Sequence, residues 1–214
     1  MKNKELAART AAALETLYPD AVCSLEYAGE PWKLLIMARL SAQCTDARVN
    51  IVSASLFQKY PTLESVAASE LAELEEAIKP CGLYKTKAKS IRETAQILMR
   101  DFGGRVPDTM EELLSLPGVG RKIANLMLGD VFGQPNIVTD THCIRICGRL
   151  GFYPESEKNP AKIEKILDGC VEKRIQADFC HRLVLFGRDV CTARSPRCGD
   201  CLLGSFCGHN RPKK

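Results

Sequence analysis

A chain of 214 residues with 45% apolar side chains is long enough to bury a core as one large domain or two small ones, which excludes a wholly disordered polypeptide. The formal net charge of +4 does not by itself mark a nucleic-acid binder, so the placement of the charges matters more than their sum. The N-terminal segment MKNKELAARTAAALETLYPD has no apolar run after its charges, and the apolar stretch 34–40 is broken by Arg39 and too short to span a bilayer.

Apolar residues recur with helical spacing and no stretch alternates with period two, so the expected fold is all-α with many short helices. A first helix covers 4–17. Pro31 opens a second, to about Gln43, whose Leu34, Leu35, Ile36, Met37 and Leu40 predict a buried central position. Thr45 or Asp46 caps a third, to about Tyr60. Pro61-Thr62 restarts the chain into short helices ending near Ile78. Residues 85–102 form a long amphipathic helix, with Ile91, Ala95, Leu98 and Phe102 on one stripe, stopped by Gly103-Gly104. Asp108 followed by Glu111 has the form of a capping box. Asp140 caps a helix to Leu150 that Gly151 closes, and 160–173 and 177–189 give two more. Gly133-Gln134-Pro135 is the expected boundary between two halves.

With no export signal the chain is expected inside the cell, where thiols stay reduced. Its eleven cysteines therefore need an account other than disulfides. Cys23, Cys44, Cys81, Cys143, Cys147, Cys170 and Cys180 read as small buried hydrophobes. The other four crowd near the C-terminus as Cys191-x6-Cys198-x2-Cys201-x5-Cys207. Four thiolates on a compact loop can enclose one soft metal centre. Structural zinc sites commonly join two close pairs across a longer gap, whereas here there is one close pair and two singly spaced ligands. That pattern favours an iron–sulfur cubane, with zinc as the alternative. Arg194 and Arg197 lie between the first two cysteines; by themselves they read as part of a solvated loop, and the functional alternative is phosphate contact, because their guanidiniums match phosphate oxygens. From His181 onward there are seven Arg or Lys residues against two Asp, a candidate basic surface.

The segment LPGVGRK (116–122) sits between two helical stretches. Gly118 and Gly120 allow a tight turn with unobstructed backbone N–H groups, and the next helix begins there. Together these make an anion site suited to a DNA phosphate, without base readout, with Arg121 beside it; a structural turn between packed helices is the alternative. Lys122 lies in the first turn of that helix, where the helix dipole works against a cation and suits an amine nucleophile. Phosphate binding is its simpler alternative role. In TDTH (139–142), Asp140 reads first as an N-cap, and a carboxylate there could also assist proton transfer or offset a developing sugar cation. His142 reads as structural.

These residues together resemble the endonuclease III family, base-excision glycosylases of the helix-hairpin-helix superfamily. The resemblance is carried by LPGVGRK, TDTH and the four-cysteine tail in that order, with LSAQCTD (40–46) and GLYKTKA (82–88) as further matching segments. It implies two α-helical domains flanking a DNA-binding cleft: a six-helix barrel with the hairpin, here 23–134, and a cluster domain formed from 1–22 and 135–214. It implies a [4Fe-4S] cluster on Cys191, Cys198, Cys201 and Cys207, and a monomer acting on double-stranded DNA with damaged bases or abasic sites, in the cytoplasm at the nucleoid. It implies excision of oxidised pyrimidines followed by strand cleavage. Lys122 matches the catalytic lysine and Asp140 the catalytic carboxylate. Gln43 and Leu83 match residues that enter the space left by a flipped nucleotide.

Two positions depart from the family pattern. Ile123 stands where threonine is expected, and Cys44 where alanine is expected. Related alternatives are an adenine-mismatch glycosylase, which lacks the lysine, and a thymine-mismatch glycosylase. From another class, a noncatalytic DNA-binding module with a redox-sensing cluster would not be trapped on abasic DNA by borohydride.

Overall fold

The computed structural model describes residues 3–210. Among them every regular element is helical and there is no strand. The chain divides into two compact units, one of residues 24–133 and one of residues 1–23 with 134–214.

In the 24–133 unit, α2 (Pro31–Leu40) begins with its proline at the first helical position, where the missing N–H costs nothing. Six of its ten residues are buried, as expected of a central helix. α3 (Asp46–Lys59) starts at Thr45, whose side chain accepts the Arg48 N–H. α4 (Leu63–Ala67) opens with a reciprocal capping box between Thr62 and Ser65. α5 (Leu71–Ile78) runs into a 3-10 turn, Lys79–Cys81. α6 (Tyr84–Asp101) packs its buried stripe against α2, α4 and α5. α7 (Met110–Ser115) and α8 (Arg121–Asp130) form the hairpin pair, and α8 packs on α2.

The other unit joins both chain ends. α1 (Asn3–Leu17), α9 (Thr141–Leu150), α10 (Pro160–Asp168) and α11 (Gln176–Asp189) surround one apolar cluster that includes Leu14, Ile146, Ile163, Phe179, Leu183 and Phe186. Leu203 and Phe206 reach into the same cluster from the cysteine-rich segment. Arg9 of α1 stacks over the Phe206 ring at 4.4 Å, a cation–π contact that adds to the apolar seal.

Three boundaries differ from the sequence expectation. α2 ends at Leu40, not Gln43. The Ser41 hydroxyl bonds back to the Ala38 carbonyl, and Gln43 turns the chain with φ 54°, which no right-handed helix accommodates. The cap of α7 is Thr109, not Asp108: its side chain accepts the Glu112 N–H. Both positions have a glutamate three residues on, and the hydroxyl one residue later takes the role. The 160–173 segment breaks at Asp168, and the 3-10 turn Lys173–Ile175 leads into α11.

Candidate DNA-repair site and cysteine pocket

The hairpin is built on α2 and α6. Leu116 and Val119 are buried under it, and Thr94 of α6 donates to the Pro117 carbonyl at 3.1 Å. The two glycines do different work. Gly118 has φ +76°, and a Cβ there would collide with the Arg39 side chain, whose Nε donates to Ser90 Oγ at 2.9 Å. Gly118 is therefore required both by backbone conformation and by the arginine packed behind it. Gly120 has an extended backbone, open space around its Cα, and no side chain capping α8. Its contribution is clearance at the helix N-terminus, where the first-turn N–H groups lack intrahelical partners. Arg121 and Lys122 follow it, both exposed.

Gln43 and Leu83 share an unusual property: each is a non-glycine residue in the left-handed region, with φ 54° and 50°. Both are exposed, Leu83 at 53%. An exposed leucine held in a strained conformation marks a position where something other than stability sets the backbone. Their two loops are joined by Lys87. This lysine is completely buried on the apolar face of α6, and its Nζ donates to the Leu40 carbonyl at 2.8 Å and the Cys81 carbonyl at 2.9 Å. Burial lowers its pKa, so the bonds to two carbonyls offset part of the cost of a charge away from water.

Asp140 stands at the N-terminus of α9 in the other unit. Its Oδ1 accepts the Cys143 N–H at 2.7 Å, so the helix-cap reading holds, and the half-buried carboxylate keeps a second oxygen. His142 sits beside Arg145 (Nδ1 to Nη2, 3.2 Å) and against Gly187, where any side chain would collide with the ring. That is a packing role.

Cys191, Cys198, Cys201 and Cys207 line one pocket, whose other walls include Ile146, Leu150, Phe186 and Leu203. Burial pushes the Cys201 and Cys207 thiols up, and the neighbouring cysteines push the same way. The positive charge of a bound metal centre would offset both effects and favour the thiolate form that ligates metal. Among the described residues no three His, Cys, Asp or Glu side chains gather as they would around a single ion. The remaining scattered cysteines divide: Cys81, Cys143, Cys147 and Cys180 are buried, whereas Cys23, Cys44 and Cys170 are half-buried.

The cysteine segment is held by α9. Arg145 donates to the Cys191 and Gly187 carbonyls, and Arg149 to the Thr192 and Ala193 carbonyls at 2.8 and 2.9 Å. Arg149 also reaches Cys191 Sγ at 3.3 Å. The two loop arginines differ. Arg197 is ion-paired with Asp189, whereas Arg194 is exposed and makes no ion pair among the described residues. The basic residues after Asn210 lie outside the described residues.

Sequence reasoning missed Arg39, Lys87, Arg145 and Arg149. Lys87 left a signal, a lysine on the apolar stripe of α6. The two α9 arginines, spaced one turn apart, left none that separates them from a solvated helix face.

Residues 36–173 match the helix-hairpin-helix superfamily of base-excision DNA repair proteins, and residues 191–207 match the iron–sulfur binding domain of endonuclease III. The second match begins and ends on the first and last cysteines of the pocket. The chain is 44% identical to endonuclease III of Bacillus subtilis over 200 residues, covering 92% of this chain and 90% of that one. It is 41% identical to endonuclease III of Escherichia coli K12 over 177 residues, 83% of each. It is also similar to a solved non-covalent endonuclease III–DNA complex, with 40% identity and a TM-score of 0.92 over 98% of this chain and 97% of that one. A thermostable thymine-DNA glycosylase, 23% identical, shares the fold with a TM-score of 0.87 over 96% and 97% of the two chains. No helix among the described residues is long and apolar enough to cross a membrane. The chain belongs to the endonuclease III family, and is a base-excision DNA-repair enzyme of that glycosylase and abasic-site lyase class with an iron–sulfur cofactor.

Proposed function

We propose that this enzyme removes oxidised pyrimidines from duplex DNA through a Lys122 Schiff base and then cuts the strand on the 3′ side by β-elimination. The observation that carries this reading is the exposed lysine in the first turn of α8, directly after a hairpin whose open N-terminus suits a phosphate. Gly118, Gly120 and Arg121 hold the backbone of the damaged strand. The target nucleotide is extruded at a cost of about a few kcal/mol, least for a damaged pair. Gln43 and Leu83 fill the opened stack. The likeness to a solved endonuclease III–DNA complex supports DNA as the partner; the proposal adds that a monomer binds duplex DNA at the nucleoid.

In this mechanism the Lys122 amine attacks C1′, the N–C1′ bond forms, and the damaged base leaves with its bonding electrons. Sugar-ring opening gives a Schiff base that acidifies the C2′ proton. Loss of that proton expels the 3′ phosphate, and water returns the free lysine. The Asp140 carboxylate offsets the positive charge that builds at the sugar and assists the proton transfers. We assign the barrel role to the 24–133 unit and the cluster role to the unit of both chain ends. Cys191, Cys198, Cys201 and Cys207 would hold a [4Fe-4S] cluster, which supplies structural cross-linking of its loop. Arg194, and Arg197 on release from Asp189, would meet the DNA backbone.

The test is borohydride trapping on duplexes bearing an oxidised pyrimidine, a T·G mismatch, an A·G mismatch or an abasic site. A covalent adduct with oxidised-pyrimidine and abasic duplexes is expected. Trapping on the T·G duplex in preference to oxidised pyrimidines would replace the substrate reading, and no trapping on any duplex would replace the lysine mechanism.

A further inference from the structure

Arg39 breaks the ordinary rules of burial. It stands on α2 between buried Ala38 and Leu40 and is itself half-buried. Its Nε donates to Ser90 Oγ at 2.9 Å. Among the described residues no carboxylate pairs with it, and Nη1 and Nη2 have no acceptor. Burial lowers its pKa, and no acidic neighbour acts in the other direction. A second cation lies close by. Ser90 Oγ donates in turn to the Lys87 carbonyl at 3.0 Å, and Lys87 Nζ donates to the carbonyl of Leu40, the residue after Arg39. The Arg39 charge works against that of Lys87. Two neighbouring cations without a carboxylate to neutralise them cost stability. Lys87 fixes two loops in return, through two carbonyls. Arg39 gains a single hydroxyl, and an apolar side chain would serve the core face of α2 as well.

The place of the guanidinium supplies a reason for the charge. The space that a Cβ would take on Gly118 is filled by Arg39 Nε, with Cδ 2.9 Å from it and Ser90 Cβ 3.0 Å away. Thr94, one turn further along α6 than Ser90, holds the Pro117 carbonyl. The hairpin thus lies on the arginine, with only the glycine backbone over it. At its far end, Gly120 puts no capping side chain on α8, so the first-turn N–H groups are open to an anion. Those groups offer partial charges alone. A full positive charge behind the turn adds to their pull, and salt screens it only over distances of about 8 Å at physiological ionic strength.

We propose that Arg39 is a further DNA-binding residue, supplying from beneath the hairpin the positive charge that neutralises a backbone phosphate held on the hairpin N–H groups. This role rests on the reading of the hairpin as a phosphate site given above. The unpaired cation is then balanced from outside the fold, when DNA arrives. Gly118 lets the guanidinium and the turn approach each other as no other residue would. Because the charge acts on phosphate and not on base edges, it strengthens damaged and undamaged duplex alike.

Arg39→Met and Arg39→Gln remove the charge, and Arg39→Lys keeps it. Binding of each iron-loaded variant to an undamaged duplex is titrated against salt, and urea midpoints are read from the fluorescence of Trp32, the single tryptophan. The neutral variants should bind on the order of tenfold more weakly at low salt, with a log–log salt slope shallower by roughly one unit. They should unfold at the same urea concentration as wild type or a higher one, because no ion pair is lost. Arg39→Lys should restore the slope. A wild-type slope in a folded neutral variant overturns the proposal, and so does a slope in Arg39→Lys as shallow as in Arg39→Met. Failure of both neutral variants to fold also overturns it, because the arginine is then a structural member of the hairpin. The hairpin reading fails separately. Gly120 has open space around it, so Gly120→Glu fits the fold and sets a carboxylate at the start of α8. Wild-type affinity and slope in that variant would remove the hairpin from the DNA contacts, whatever the Arg39 variants show.

Discussion

The two units hold their working loops in place by different means. In the 24–133 unit, the loops of Gln43 and Leu83 and the hairpin are fixed from inside, by a fully buried lysine and by an arginine packed behind Gly118. In the other unit, the cysteine segment has almost no regular structure and is fixed from its flank, by half-buried Arg145 and Arg149 reaching its carbonyls. The first arrangement needs nothing but the chain. The second leaves four thiols facing one pocket, where a bound cluster would add a cross-link to the arginine contacts.

The largest expected effects fall on the two residues proposed to carry the chemistry, Lys122 of α8 and Asp140 at the start of α9. Lys122→Gln should abolish the borohydride-trapped adduct while duplex binding persists; trapping by the variant would show that another lysine forms the Schiff base. Asp140→Asn still caps α9, because asparagine caps about as well as aspartate. Base release should nevertheless fall by about 10²–10⁴, read in single turnover at matched binding. A drop below about tenfold would leave Asp140 as a cap alone.

The contrast in loop support makes the next prediction. Purified protein should be brown, with about four irons per chain. Stripping the iron with a chelator should raise amide hydrogen exchange across 191–207 and leave 24–133 unchanged. Stoichiometric zinc without iron in anaerobically purified protein would break this side of the comparison. On the other side, Lys87→Met leaves the Leu40 and Cys81 carbonyls buried without their donor. A loss of about 1–3 kcal/mol is expected. Trp32 is the single tryptophan and packs edge-on to Phe57, so its fluorescence in a urea titration reports on this unit specifically. An unchanged midpoint would show that the buried lysine does not hold the loops.

The smallest expected effect concerns the loop arginines. Arg194→Ala should weaken damaged and undamaged duplex alike and make the log–log salt slope shallower by roughly one unit. Arg197→Ala should do less, since Arg197 already faces Asp189. Parallel salt slopes for wild type and the Arg194 variant at full iron content would remove Arg194 from the DNA contacts.

Much of the fold was legible because it is written locally. Pro31, Thr45, Asp140 and Gly151 set helix ends through their own backbone or side-chain chemistry, and they do so here. The early end of α2 was not legible, because Gln43 takes a left-handed turn that no glycine announces. The cap at Thr109 was ambiguous, since Asp108 offers the same pattern one residue earlier. The candidate site was legible as a set of residue types: hairpin glycines, a lysine, a carboxylate and a cysteine spacing. Its supports were not. That Arg197 faces Asp189 while Arg194 makes no ion pair among the described residues, or that Arg149 holds the Thr192 carbonyl, depends on which surfaces meet.

The left-handed backbones of Gln43 and Leu83 have a further consequence. An L-residue in that region is disfavoured by about 1–2 kcal/mol relative to its ordinary conformations, and glycine escapes the penalty. Gln43→Gly and Leu83→Gly should therefore make the protein harder to unfold while removing the side chains proposed to enter the helix. A selection for thermal robustness alone, blind to repair, would drift toward glycine at these two positions. An engineering effort that ranks variants by melting temperature would therefore select against the two side chains proposed to fill the opened stack.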